Sequence, residues 1–90
     1  MLTGEKRIYE GELCLECGKM ASETHHCIFG KNRQNSEDYG LTVHLCNRCH
    51  WRLHNVDEVL AMKYRKIGQI VFEARHSHEE FMWIFGRNYL

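Results

Sequence analysis

The sequence predicts a small α+β domain whose fold is stabilised by zinc. The first observation is length: a chain of 90 residues buries only about 60–65% of the surface it exposes when unfolded, so a hydrophobic core alone gives thin stability. The second is a pair of cysteine doublets, Cys14-x-x-Cys17 and Cys46-x-x-Cys49. The third is hydrophobic periodicity, which is strand-like in short segments of the first half and helical in the second half.

Short strands and one loop are expected before the second cysteine doublet. The pattern predicts a strand over residues 7–15 that leads into the first doublet, and a second strand over residues 23–29. A third strand is predicted over residues 41–45, where apolar and polar residues alternate. The polar, turn-rich segment from Gly30 to Gly40 is predicted to be a loop.

Three helices are expected to follow. The second doublet begins a short helix over residues 47–54, and Asn55-x-x-Glu58 resembles a capping box that begins a longer helix ending near Arg75. Ser77-x-x-Glu80 begins a last helix whose large apolar side chains are expected to pack against the preceding helix. These side chains are Phe81, Trp83, Ile84 and Phe85. We predict one domain over residues 1–90, with a core at about residues 8–55 and a helical extension at about residues 56–90.

The composition excludes several functional classes. Twelve Lys and Arg residues balance twelve Asp and Glu residues, so a strongly basic nucleic-acid coat is excluded, although a local basic patch is not. No apolar run approaches the ~18 residues that a membrane span needs. The polar segment from Met1 to Glu12 lacks the apolar stretch of a signal peptide. We therefore expect a cytoplasmic protein that contacts no membrane.

The cysteine spacing predicts a structural zinc site. Without a secretion signal, paired Cys-x-x-Cys units are typical of zinc binding rather than of disulfides. A two-residue spacer lets both thiolates of a turn reach one ion at about 2.3 Å, and two such turns complete a tetrahedron. The predicted ligands are Cys14, Cys17, Cys46 and Cys49. Free thiols and a redox pair are the alternatives, and the fifth cysteine, Cys27, is predicted to be a small core residue.

The histidines predict a second metal site. His50 and His54 are four residues apart and share one helix face, roughly 90° from the mean direction of Cys46 and Cys49. One helix can thus serve two sites, and either residue of the upstream pair His25-His26 would supply a third imidazole. Three protein ligands with open positions describe a catalytic site, and the remaining histidine is a candidate general base. Surface or structural histidines are the alternative.

These motifs, in this order, resemble the HNH endonucleases, which are treble-clef proteins of the ββα-metal class. The likeness covers residues 14–54 specifically and the C-terminal helices only loosely. In particular, the segment from Glu23 to Leu41 is similar to the small HNH proteins of bacteriophages and prophages, and the tail over residues 85–90 shares the likeness more weakly. The resemblance implies a zinc-stabilised treble-clef core with two C-terminal helices, forming a single HNH domain.

The resemblance also implies a role for each site residue. His25, His50 and His54 match the ligands of a catalytic divalent ion, which would be Mg²⁺, Mn²⁺, Ni²⁺ or Zn²⁺, and His26 matches the general base. The four doublet cysteines match the structural zinc ligands of many members. The asparagine of the family motif has no clean match, and Asn32 is the first substitute to consider.

The implied activity is metal-dependent hydrolysis of DNA phosphodiester bonds, which we expect to produce nicks. Phosphate contacts would come from Lys31, Arg33, Arg48 and Arg52, which flank the site in sequence. The resemblance suggests work beside a phage terminase or other packaging proteins, in the cytoplasm of a bacterial host. Two alternatives remain: a non-catalytic treble-clef zinc module that binds nucleic acid or protein, and an adaptor that uses the aromatic C-terminal helix.

The adjacency of His25 and His26 on the predicted strand places a geometric condition on a shared site. Neighbouring residues of a strand point to opposite faces of a sheet. His25 and His26 can serve one site only if the strand bends or bulges there, or if the substrate backbone passes across the strand edge.

Overall fold

A two-stranded antiparallel sheet and four α-helices make up the part of the chain that the computed structural model describes, residues 3–90. The small α+β architecture expected from the sequence is confirmed. The elements, in chain order, are β1 (Glu23–His26), a 3-10 turn (Gly30–Asn32), α1 (Arg33–Asp38), β2 (Thr42–Leu45), α2 (Asn47–Asn55), α3 (Glu58–Arg75) and α4 (His78–Phe85).

The strand predicted over residues 7–15 is wrong. Within the described residues that segment forms one isolated bridge, Leu13 to Met20. Its other long-range backbone donations are single bonds, from Ile8 to Gly40, from Tyr9 to Thr42 and from Leu15 to His44. The bridge closes the turn that carries the first cysteine doublet. Scattered single bonds follow the outside of the sheet without the repeating ladder that makes a regular strand.

The loop predicted over residues 30–40 is also wrong, because it contains the 3-10 turn and α1. The residues of α1 have modest helix propensity, and tertiary hydrogen bonds compensate for it. The buried Ser36 hydroxyl accepts from the backbone N–H of Ile28 at 3.2 Å and donates to the carbonyl of Ile28. Asn35 donates to the carbonyl of Ile84 at 3.3 Å. Such partners lie far away in sequence and leave no local signal.

The helix starts are partly as predicted. Asp57, rather than Asn55, caps α3, because its carboxylate accepts from the backbone N–H of Leu60 at 2.9 Å. The capping box of Ser77 and Glu80 at the start of α4 is confirmed, and so is the end of α3 at Arg75.

The apolar core lies between the sheet and the helices α2, α3 and α4. Phe72 of α3 contacts both Phe81 and Phe85 of α4, with ring centroids 5.5 and 5.7 Å apart. Cys27 is fully buried, which confirms it as a core residue. Trp83 is the exception to the expected packing of α4, since it is 89% exposed. Among the residues described, no helix combines the length and apolar character needed to cross a bilayer.

Candidate metal centres

The four doublet cysteines lie together at the junction of the first turn and α2. Their ligand atoms are all within 4.8 Å of one another, and the sulfurs of Cys17 and Cys46 are 3.6 Å apart. Sulfurs that bind one zinc ion tetrahedrally at 2.3 Å are separated by about 3.8 Å. Over residues 3–90 all five cysteines are free thiols. The predicted set of four cysteines is therefore brought together, with a spacing that fits zinc.

Backbone geometry places these sulfurs. The first doublet lies on a turn in which the N–H of Gly18 donates to the carbonyl of Cys14 at 2.9 Å, with Gly18 at a positive φ of 79°. Only glycine adopts this backbone readily. The second doublet begins α2: Cys46 is the cap residue, and its sulfur accepts from the backbone N–H of Cys49 at 3.4 Å. A helix N-terminus favours a thiolate at this position.

The electrostatics of the cluster favour a cation. Burial opposes ionisation of Cys14, but hydrogen bonds from backbone groups outweigh it and lower the pKa of the thiol to about 6. The backbone N–H of Cys49 lowers the pKa of Cys46. Burial, together with the neighbouring thiols, raises the pKa of Cys49 itself. The cluster thus ionises in part on its own, and a bound cation would offset the repulsion among four thiolates.

The predicted histidine ligands form a second cluster. Ligand nitrogens of His25 on β1 and of His50 and His54 on α2 all lie within 4.8 Å of one another. The Nε2 atoms of His50 and His54 are 3.1 Å apart. Nitrogens that share one ion at about 2.1 Å are separated by about 3.0–3.4 Å, depending on geometry. The helix therefore presents two imidazoles at the spacing of two ligands, and the strand adds the third.

His25 gives an independent reason to expect an ion. It is fully buried, and within residues 3–90 neither ring nitrogen has a hydrogen-bond partner. Each unpaired buried polar atom costs about 1–3 kcal/mol. Burial, with smaller contributions from His50 and His54, lowers the pKa of His25 to about 3, so the ring is neutral near pH 7. A neutral imidazole is the form that binds metal, and a divalent ion would satisfy one of the unpaired nitrogens.

Glu23 fixes the orientation of one ligand. Its carboxylate accepts a short hydrogen bond from Nδ1 of His50, which leaves Nε2 of that ring facing His54. A carboxylate on the far nitrogen of a metal-binding histidine sets the ring's tautomer and orientation. Sequence reasoning missed this residue. The available signal was its position two residues before His25, because residues at i and i+2 share one face of a strand.

His26 is not part of the three-histidine cluster and has its own carboxylate partner. Its Nε2 atom is 3.6 Å from Oε1 of Glu37, which is also paired with Arg7 at 2.6 Å. Burial lowers the pKa of His26, and Arg33 adds to this effect while Glu37 opposes it. The ring is therefore held mainly in its neutral form near pH 7.

A cleft of about 140 Å³ borders both the three-histidine cluster and His26. It is lined by Thr24, His25, His26, Phe29, Arg33, His50 and His54. The pairs of β1 and β2 run in continuous register from Glu23–Leu45 to His26–Thr42. The register shows no bulge at the histidine pair, yet His25 contacts His50 and His54 of α2, His26 faces Glu37 of α1, and both histidines line the cleft.

The four predicted phosphate-binding residues differ in their surroundings. Lys31, Arg33 and Arg48 are exposed and have no ion-pair partner among the residues described, and Arg33 also lines the cleft. Arg52 is paired with Asp57 at 3.4 Å. Two uncompensated arginines, Arg33 and Arg48, therefore line clefts beside the histidines, and both lie between His25 and His50 in sequence.

Asn32 is not among the residues that line the histidine cleft. Its buried amide donates to the carbonyl of Phe85 at 3.0 Å and its oxygen accepts from Asn35 at 3.1 Å. Ser36 instead makes the contact with Ile28, two residues after the histidine pair, and sequence reasoning gave no reason to single out Ser36.

Comparison with known proteins returns no relative: the chain matches no family model, no curated protein and no solved structure. The chemistry of the two clusters follows from their ligands. A set of four thiolates fills every position of a tetrahedral ion, which is typical of a structural site. Three imidazoles leave positions open for water or substrate, which is typical of a catalytic site.

Proposed function

We propose that this protein is a metal-dependent DNA endonuclease of the HNH type, which hydrolyses phosphodiester bonds. The observation that carries the proposal is that one cleft is bordered both by the three clustered histidines and by a fourth, carboxylate-paired histidine, His26. A structural metal site needs no such fourth residue, whereas hydrolysis needs a base next to the ion.

The order of elements supports a treble-clef core of the ββα-metal class. A turn with the first cysteine doublet precedes the β1–β2 pair, and α2 follows directly with the second doublet. The strand and the helix then each contribute to the histidine cluster. The sequence resemblance to small phage HNH proteins points in the same direction.

The chemistry assigned to the site follows from its residues. A divalent ion held by His25, His50 and His54 would supply Lewis-acid chemistry, which neutralises charge on the phosphate and on the leaving oxygen. Neutral His26 takes the proton from the attacking water, and Glu37 orients the ring and stabilises it once protonated. Arg33, which lines the cleft, attracts the phosphate backbone.

The test is cleavage of supercoiled plasmid by the zinc-loaded protein with Mg²⁺, Mn²⁺ or Ni²⁺ added. We expect metal-dependent nicking, and a rate lower by about 10²- to 10⁴-fold in His26→Ala, which is the usual contribution of a general base. His78→Ala is the matched control, because His78 lies on α4 and is half exposed.

Zinc content is measured for every variant, so that a folding defect is not mistaken for a catalytic one. Equal rates for the wild type and His26→Ala would contradict the assigned base. The absence of cleavage with every metal, in a protein that retains zinc, would contradict the nuclease proposal and favour a non-catalytic zinc module.

A further inference from the structure

A groove of about 570 Å³ runs along the outer face of α2, directly beside the histidine cluster. His50 and His54 form its border with the cluster, and Arg48, Trp51 and Asn55 line the rest. On a helix these positions fall within one face, opposite the buried Cys49 and Leu53. The groove and the cluster are therefore two sides of the same stretch of helix.

Trp51 is the unusual feature of this groove. The side chain is 59% exposed, although an indole ring is among the largest apolar groups that a protein can bury. The neighbouring Asn55 amide donates to the carbonyl of Trp51 at 2.7 Å, which holds the amide at the edge of the groove. An exposed indole on an ordered helix next to a reaction site is suited to contact a substrate.

The charge of the groove favours a nucleic acid over an apolar ligand. Arg48 is exposed and has no ion-pair partner in the described part of the chain, so its charge is available to a phosphate. The carboxylate of Glu23, which also borders the groove, is occupied by His50. An aromatic ring beside a free guanidinium is the combination that proteins use to bind single-stranded nucleic acid.

The spacing along the helix connects the groove to the scissile phosphate. Trp51 directly follows His50, so their Cα atoms are about 3.8 Å apart and their side chains diverge by about 100° around the helix. A strand whose phosphate lies at the histidine cluster therefore brings an adjacent base within reach of the indole. In duplex DNA that base is stacked on both faces and cannot contact the ring.

We propose, resting on the nuclease function above, that this groove binds an unpaired base next to the scissile phosphate. Trp51 stacks on the base and Arg48 contacts the adjoining phosphate. The substrate class is then single-stranded DNA, or duplex DNA that is locally unpaired at the cleavage position.

Binding, measured apart from cleavage, tests this inference. In zinc-loaded protein without other added metal, fluorescence anisotropy gives the affinity for a labelled single strand and for a hairpin duplex. We expect tighter binding of the single strand, and Trp51→Ala to weaken it by about 5- to 150-fold, the range for loss of one base–aromatic stack. Affinity for the duplex should not change, and Trp51→Phe should recover part of the loss.

Tryptophan fluorescence gives a second readout. Trp51 and Trp83 are the two tryptophans, so Trp83→Phe leaves Trp51 as the single reporter, and its emission should be quenched by the single strand only. For the anisotropy measurement, Trp83→Ala is the matched control for Trp51→Ala, because Trp83 is also highly exposed but lies on α4. Its affinity for the single strand should equal that of the wild type.

Three results would overturn the inference: unchanged single-strand affinity in Trp51→Ala, an equal loss for the duplex, or a wild-type preference for the duplex. If single-strand affinity is unchanged in Trp51→Ala and cleavage is intact, the nuclease proposal is unaffected, and the groove is better explained as a binding site for a protein partner. Trp51-dependent binding without any cleavage would support the base site and contradict the nuclease proposal.

Discussion

The hydrogen bond between Glu23 and His50 gives a sharp test of the histidine cluster. Replacing Glu23 with Gln keeps the size of the side chain but removes the charge that fixes the ring. Loss of such a partner typically weakens metal binding by about 10- to 100-fold. Because the Glu23 side chain is 42% exposed, water can replace part of the interaction. We therefore expect metal affinity to fall by the lower end of that range, about 10-fold, or about 1.4 kcal/mol.

The assay is a titration of zinc-loaded protein with Co²⁺ or Ni²⁺. Binding is monitored by calorimetry and by the absorption of the bound ion. Glu79→Gln is the matched control, since Glu79 is exposed on the first turn of α4. Both variants should retain the zinc of the cysteine cluster. Equal affinity for the added ion in Glu23→Gln and in the control would refute the orientation that we assign to His50.

Three further predictions concern the fold that holds the two clusters. Cys49→Ala should reduce zinc from about one ion per chain to near zero and abolish cooperative unfolding, because metal binding and folding are coupled in such small domains. Cys27→Ala should retain the zinc, and a zinc loss there by elemental analysis would contradict the separation of core and ligand cysteines. Ser36→Ala should destabilise the protein by about 1–3 kcal/mol in urea unfolding, because the buried N–H and carbonyl of Ile28 lose their partner; an unchanged midpoint would count against it. Gly68→Ala should lower the Tm despite the better helix propensity of alanine, because the new Cβ would lie 2.9 Å from Cβ of Cys27; a rise in Tm would contradict that packing.

The parts of the fold that follow local rules were predictable from the sequence. The helical periodicity and the Ser77–Glu80 capping box located α3 and α4 well. The helix over residues 33–38 was not predictable, because hydrogen bonds to Ile28 and Ile84 stabilise it rather than its own composition. The prediction of a strand over residues 7–15 was wrong for a related reason, since the few backbone hydrogen bonds of that segment are made largely to a distant part of the chain.

The candidate site was also predictable only in part. Residue type and spacing were sufficient to group the four cysteines and the three histidines, because metal ligands must converge on one point. The carboxylate partner of His26 could not be assigned, because Glu37 reaches that ring from α1 and its position in sequence does not specify the contact. The exposure of Trp51 and of Trp83 likewise depends on tertiary packing, which periodicity alone does not determine.

The central claim is that the histidine cluster holds the ion that makes the protein a nuclease. The most direct measurement is the rate of plasmid nicking against added Mn²⁺, for the wild type and His54→Ala at equal zinc content. We expect a rate that saturates with Mn²⁺ in the wild type and that is lost in the variant, whose cluster retains two of its three imidazoles. A nicking rate that does not depend on Mn²⁺, or that is the same in both proteins, would contradict it.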